Sequence, residues 1–125
     1  MDIPGGPGGP AQIDSRREPR VAVSWRALFR LPDGKTMEVR VRDISESGLG
    51  LLSENAIPQN VALDLALAVP DLIDASRTIT VIGKLRAVYV VINRHDYRIG
   101  AVWAELDNAS REMIRQHIKR GRYGG

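Results

Sequence analysis

The stretch "VAVSWRALFRLPDGKTMEVRVR", residues 21–42, alternates apolar and polar side chains on both sides of a turn sequence. Its first half predicts a strand whose apolar face is formed by Val21, Val23, Trp25, Ala27, Phe29 and Leu31. The second half alternates Met37, Val39 and Val41 against charged neighbours in the same way. Between them, "PDG" at Pro32–Gly34 supplies turn residues. The stretch therefore predicts an antiparallel hairpin with one buried face.

Four further apolar runs follow the hairpin. They are "GLGLLS" at 48–53, "NVALDLALAV" at 60–69, the long run 77–93 and "YRIGAVWAEL" at 97–106. Gly83, near the middle of the longest run, predicts a bulge or bend that lets this strand wrap around a core. The last stretch, "DNASREMIRQHIKR", combines N-capping residues, apolar residues at helical spacing and terminal cations, so it predicts one amphipathic helix. Together these elements predict a mainly-β fold, a small antiparallel β-barrel closed by a helix.

Composition limits the chain to one small domain. It has 125 residues, 43% of them apolar, and no cysteine, which excludes a disulfide framework and thiolate chemistry. Residues 1–14, which begin with a Gly/Pro-rich stretch, are expected to form a disordered lead, 15–120 the folded domain and 121–125 a disordered tail. The sequence shows no signal peptide and no membrane-spanning run, so a cytoplasmic protein without membrane insertion is expected. The net charge of +3 favours an anionic partner.

Two short motifs carry candidate binding chemistry. The first, "DSRREPR", concentrates positive charge immediately before the first strand, in Arg16, Arg17 and Arg20. By itself it fits an ordinary solvated basic arm. The second, "DISESG", follows the second strand, and its candidate residues are Asp43, Ser45 and Gly48. By itself it fits an Asx-type turn, with a glycine able to take a positive φ and to bring the backbone close to a ligand.

The two motifs are more informative together. The arm precedes the first strand and the turn ends the second, so pairing within the hairpin brings both to one end of the barrel. Guanidinium groups recognise phosphates and the Hoogsteen acceptors of purines, while a carboxylate accepts the N1 and N2 hydrogens that guanine has and adenine lacks. The combination points to a guanine nucleotide.

These motifs resemble those of PilZ domains. "RREPR" resembles the RxxxR motif of this family, and "DISESG" matches its [D/N]xSxxG motif. "YRIGAVW" is similar to its late (I)GxxF strand, with Trp103 in place of the aromatic phenylalanine. The resemblance covers residues 15–120 and implies a six-stranded antiparallel β-barrel of the split-barrel type with a C-terminal α-helix. It also implies a binding site for the bacterial second messenger cyclic di-GMP, formed by Arg16, Arg17, Arg20, Asp43, Ser45 and Gly48.

The resemblance further implies a receptor and not an enzyme. Binding is expected to change the conformation of the arginine arm and so to signal to an unidentified protein partner that controls motility, biofilm or exopolysaccharide output. Neither a cofactor nor a metal is expected; His95 fits a polar turn and His117 the edge of the buried face of the helix. Ser15 stands where many members carry a further basic residue, associated with an intercalated ligand dimer, which leaves one or two ligand molecules per chain open.

Two other functions stay open from the residues alone. One is a small barrel that binds single-stranded nucleic acid through its basic face. The expectation that Trp25, Phe29 and Trp103 point into the core disfavours it, because few aromatic platforms are left for stacking. The other is a PilZ-fold protein-interaction module without nucleotide, which the intact motifs disfavour.

Overall fold

The computed structural model describes residues 18–123 of the chain. These residues form β1 (Val21–Arg30), β2 (Thr36–Ile44), β3 (Gly48–Ser53), β4 (Ala62–Pro70), β5 (Thr78–Asn93), β6 (Asp96–Glu105) and α1 (Asn108–Tyr123). The strands close into a barrel in the order β1-β2-β3-β6-β5-β4, and all neighbouring pairs are antiparallel. The predicted six-stranded antiparallel β-barrel with a C-terminal helix is confirmed. The expected lead at 1–14 lies outside the described residues.

The barrel interior is built from the apolar faces that the sequence predicts. On β1, Trp25, Ala27 and Phe29 are buried, whereas the residues between them are exposed. On β4, Leu63 and Leu65 repeat this pattern. The Phe29 side chain is 1% exposed, and burying a side chain of this kind contributes about 1.5–3 kcal/mol. The alternation along these strands therefore decides which side of the sheet becomes the core.

The β1–β2 hairpin brings the start of β1 to the end of β2. Phe29 pairs with Met37 near the turn, where Gly34 takes a φ of +88° that side chains rarely adopt. At the open end, Val21 pairs with Ile44. The residues before β1 consequently lie beside the turn that follows β2, as the sequence predicts.

Strand β5 contains the predicted irregularity. Its register with β6 shifts between Lys84 and Leu85, immediately after Gly83. A Cβ atom at Gly83 would lie 2.8 Å from the carbonyl oxygen of Glu105 and 2.9 Å from Cζ3 of Trp103. Glycine at this position thus allows the indole ring and β6 to approach β5 closely beside the register shift.

Helix α1 begins at a capped end and packs against β1. The Asp107 carboxylate accepts a hydrogen bond from the backbone N–H of Ser110 at 2.7 Å, which satisfies one of the free donors of the first turn. Ile114 and Ile118 are buried in the core. The ring of His117, on the same side of the helix, meets the ring of Trp25 edge to face at 5.0 Å.

The helix extends past the boundary expected at residue 120. Gly121–Tyr123, which fall in the expected tail, are helical. A glycine often ends a helix, but a Cβ atom at Gly121 would overlap the side chain of Val21. This glycine therefore permits close packing of the last helical turn on the first residue of β1.

The surroundings of His117 predict that the stability of the domain depends on pH. Burial lowers the pKa of His117, although the hydrogen bond that its Nε2 donates to the carbonyl oxygen of Pro70 at 2.8 Å raises it. A lowered pKa means that the folded state favours the neutral ring, so this stabilisation is complete above the unfolded pKa of about 6.5 and is lost as the pH falls below it. We expect the Tm to fall between pH 7 and pH 5 by more in the wild type than in His117→Gln.

The second histidine provides a matched control for this prediction. His95 is exposed in the turn between β5 and β6. His95→Gln should therefore keep the wild-type dependence of Tm on pH. An identical dependence in His117→Gln and the wild type would show that His117 does not contribute.

Candidate ligand-binding site

The second sequence motif begins in the last residues of β2, continues through the turn between β2 and β3, and ends at the first residue of β3. Ser45 is fully buried, and its backbone N–H and its hydroxyl donate to the carbonyl oxygen of Gly48 at 3.0 and 3.3 Å. The hydroxyl hydrogen is thus used inside the turn, which leaves the oxygen as an acceptor. Ser45 therefore shapes the turn as well as lining the cavity beside it.

Gly48 is required for space and not for its φ. A positive φ occurs at Gly34 but not at Gly48, so the φ expected for this glycine is wrong, whereas the expected approach of its backbone to a ligand stays a prediction. A Cβ atom at Gly48 would overlap the carbonyl oxygen of Ala101 and lie 2.9 Å from Cα of Val102. Glycine therefore allows β3 to begin in close contact with β6.

Two contacts fasten the residues before β1 to this turn. Nε and Nη2 of Arg20 donate to Oδ1 of Asp43 at 3.1 and 2.5 Å. The Ser47 hydroxyl donates to Oε1 of Glu18 at 2.6 Å. We call these two contacts the clasp. The side chains of Arg20 and Asp43 remain 38% and 34% exposed, so both are accessible from solvent.

The structure brings together the predicted site residues that it describes. They lie at the open end of the hairpin: Arg20, Asp43, Ser45 and Gly48. Arg16 and Arg17 lie outside the described residues, so their part in the site stays a prediction. The meeting of the two motifs follows from the pairing of Val21 with Ile44, which the hairpin imposes.

A cavity of about 490 Å³ adjoins the turn. Arg20 and Ser47 line one part of it, and Val88, Tyr89 and Gly100 line another. Its volume falls in the range of about 300–1,000 Å³ that is typical of small-molecule sites. Gly100 belongs to the "YRIGAVW" stretch that resembles the late strand of the family, whereas Val88 and Tyr89 on β5 belong to no motif that the sequence offered.

Four cross-strand neighbours form a row on the outer surface beside this cavity. Asp43 on β2 pairs with Gly50 on β3, Gly50 pairs with Gly100 on β6, and Gly100 pairs with Tyr89 on β5. The β2–β3 and β5–β6 registers both shift at this row, so Asp43 and Tyr89 are not placed by simple alternation. We call Gly50 and Gly100 the glycine pair.

Glu46 connects the turn to helix α1. Nε of Arg115 donates to Oε1 of Glu46 at 2.9 Å, and this hydrogen bond raises the pKa of Arg115. Nη1 of Arg111 donates to the Glu46 carbonyl oxygen at 3.4 Å. The backbone N–H of Trp103 also donates to the Ser47 carbonyl oxygen at 2.9 Å. The turn is therefore held by the helix, by β6 and by the clasp.

A second hollow, of about 670 Å³, lies away from both motifs around Arg26, Glu38, Arg40 and Asp96. Its walls carry charges of both signs, and Nη1 of Arg26 lies 3.9 Å from Oε2 of Glu38. This hollow contains none of the predicted site residues, so the smaller cavity beside the turn is the candidate site.

Between residues 18 and 123, no three His, Asp or Glu side chains are placed to hold a metal ion. In the same part of the chain, no helix combines the length and apolar character needed to cross a membrane.

Comparison with known proteins identifies the family. The model of the PilZ domain family matches residues 14–120, which is most of the chain. The chain belongs to the PilZ domain family. Among curated proteins, none matches it in sequence.

Several solved structures share the fold. The inhibitor of motility MotI/DgrA from Bacillus subtilis superposes with a TM-score of 0.75 at 11% identity, covering 87% of this chain and 52% of that one. The PilZ domain of YcgR from Escherichia coli with c-di-GMP gives 0.61 at 15%, with coverages of 87% and 92%. The MrkH–c-di-GMP complex of K. pneumonia gives 0.65 at 16%, with coverages of 88% and 54%. The chain thus spans about half the length of MotI/DgrA and of MrkH.

Proposed function

We propose that the chain is a cyclic di-GMP receptor module and not an enzyme, with the nucleotide as its ligand rather than a cofactor. The contact between Arg20 and Asp43 carries this proposal, because it joins the two PilZ motifs at the edge of a cavity of ligand size. Membership of the PilZ family supports it. Further support comes from the similar YcgR domain and MrkH, both of which were solved with c-di-GMP.

The residues of the site match the chemistry of the ligand. The guanidinium group of Arg20 can donate to phosphate oxygens or to O6 and N7 of guanine. The carboxylate of Asp43 can accept the N1 and N2 hydrogens of guanine, which adenine does not offer in that arrangement. The full set of proposed ligand-binding residues is Arg16, Arg17, Arg20, Asp43, Ser45 and Gly48.

Ligand binding is expected to rearrange the clasp. Nε and Nη2 of Arg20 are occupied by Asp43, and the carboxylate of Glu18 lies against Ser47 at the rim of the cavity. A ligand with two phosphates competes for Arg20 and is repelled by Glu18. We therefore propose that the segment before β1 changes conformation on binding, with the arginines of the first motif closing over the ligand.

This change would present a new surface to a protein partner. We propose that the partner controls motility, biofilm or exopolysaccharide output. Two of the similar proteins are named for regulatory roles of this kind. MotI/DgrA is an inhibitor of motility, and MrkH is a c-di-GMP-dependent transcription regulatory factor.

Titration calorimetry with cyclic di-GMP tests the receptor function. We expect saturable binding, with one or two ligand molecules per chain. Cyclic di-AMP is the matched control, because it keeps the phosphates and lacks the guanine N1 and N2 donors; it should bind much more weakly. GTP and single-stranded RNA complete the comparison.

The controls also separate the alternatives. Binding of RNA without binding of cyclic di-GMP would favour the nucleic-acid function, although Trp25 and Phe29 are buried and Trp103 is partly buried against the core. Binding of no nucleotide would favour a protein-interaction module. Within the described residues, the aromatic side chain that lines the candidate cavity is Tyr89.

A further inference from the structure

We propose that Tyr89 is a ligand-binding residue that stacks against a guanine base of the ligand and holds it beside Asp43. This inference rests on the proposed receptor function and extends it to a residue outside both motifs. Tyr89 is 51% exposed and lines the same cavity as Arg20. The ring is therefore accessible from the space in which the ligand is expected to bind.

The glycine pair determines where this ring lies. A Cβ atom at Gly100 would come within 2.5 Å of Cζ and 2.7 Å of Cδ2 of Tyr89. The ring thus occupies the space that a side chain on β6 would fill. It reaches from β5 across its neighbouring strand, in the direction of Gly50 and Asp43.

The carboxylate of Asp43 reaches toward the ring from the other end of the row. A Cβ atom at Gly50 would lie 2.5 Å from Oδ2, 2.7 Å from Oδ1 and 2.8 Å from Cγ of Asp43. The carboxylate therefore covers Gly50 as the ring covers Gly100. Because these glycines are paired on adjacent strands, which are about 4.8 Å apart, the acidic and aromatic groups lie side by side.

This arrangement matches a purine base with hydrogen-bond donors on its edge. A base stacked on the Tyr89 ring directs an edge toward the adjacent carboxylate of Asp43. The guanidinium group of Arg20, which contacts this carboxylate in the absence of ligand and lines the same cavity, can contact the phosphates or the remaining base surface once the clasp opens. An aromatic face, a carboxylate and a guanidinium group thus converge on one base.

Tyr89→Leu is the variant that distinguishes stacking from packing. Leucine keeps an apolar side chain above Gly100 but offers no aromatic face. Since loss of base–aromatic stacking is worth about 1–3 kcal/mol, cyclic di-GMP binding should weaken by about five- to 150-fold. Tyr89→Phe keeps the ring and should stay within about twofold of the wild type. Ile82→Ala, a change at a 63% exposed residue on the same strand outside the cavity, is the matched control and should bind normally.

A spectroscopic measurement distinguishes stacking from a purely structural role of Tyr89, because only stacking produces both a ring-current shift and a nuclear Overhauser effect. In NMR spectra of the complex, a guanine H8 resonance should show a ring-current shift and a nuclear Overhauser effect to the ring protons of Tyr89. Both signals should persist with Tyr89→Phe, and the ring-current shift should disappear with Tyr89→Leu. Thermal melts of each variant verify folding, which we expect to be retained because the side chain is half exposed.

The outcomes separate this inference from the function on which it rests. Wild-type affinity in Tyr89→Leu, or no ring-current shift in the wild-type complex, would overturn the role of Tyr89 and leave the receptor function intact. Absence of cyclic di-GMP binding to the wild type would overturn both.

Discussion

Arg20→Ala is expected to weaken cyclic di-GMP binding by about ten- to hundredfold while the barrel stays folded. Arg20 is the motif arginine that meets Asp43 at the cavity, and a hydrogen bond to a charged group contributes about 1.5–3 kcal/mol. The ion pair itself is partly exposed, and such pairs add at most about 1 kcal/mol to folding. Calorimetric titration measures the affinity, and a thermal melt measures the stability.

Matched variants make this prediction specific. Arg26→Ala removes the same charge from a side chain that is 79% exposed and does not line the cavity, so it should bind normally. Asp43→Ala should also lose binding, whereas Asp43→Asn should retain part of it because the amide oxygen still accepts a hydrogen bond. Unchanged affinity in Arg20→Ala would mean that Arg20 is an ordinary surface charge.

Gly48→Ala is expected to lower the free energy of unfolding by about 3 kcal/mol, at the upper end of the usual cost of overpacking. The new methyl group would overlap the backbone of Ala101 and Val102, which cannot move aside without separating β3 from β6. A loss of this size is a large fraction of the stability of a small domain. Urea denaturation with and without the substitution measures it.

Gly50→Ala is the control on the same strand. Its methyl group would meet the carboxylate of Asp43, which can rotate away, rather than backbone. We expect the free energy of unfolding to fall by less than about 1 kcal/mol, because the flexible side chain can move. Ligand binding should also weaken, because the carboxylate is displaced. Equal stability losses in Gly48→Ala and Gly50→Ala would show that contact with backbone is not the deciding factor.

The fold could be predicted because its signals are local. The alternation of Trp25, Ala27 and Phe29 identifies a half-buried strand without knowledge of any other strand. The hairpin turn then places Arg20 near Asp43, since both positions follow from one antiparallel pairing. The prediction that the ligand is cyclic di-GMP depends on the family resemblance, because the residues alone indicate only a guanine nucleotide.

The parts that sequence reasoning missed depend on contacts between distant strands. Tyr89 belongs to the row through its pairing with Gly100 on β6. One register shift brings Tyr89 opposite Gly100, and a second brings Asp43 opposite Gly50. Alternation along one strand cannot indicate such shifts. The positive φ expected for Gly48 was wrong for a similar reason: a turn glycine suggests a special φ, whereas the structure shows that the backbone of Ala101 on β6 occupies the space of a side chain.

The clasp gives the proposed receptor an adjustable set point. If cyclic di-GMP must replace the Arg20–Asp43 and Glu18–Ser47 contacts, only the protein molecules in which the clasp is open can bind it. The apparent dissociation constant then equals the intrinsic one divided by that fraction. Residues such as Glu18 and Ser47, which lie between the motif positions, can therefore tune the messenger concentration at which half the receptors respond, without alteration of the groups that recognise guanine.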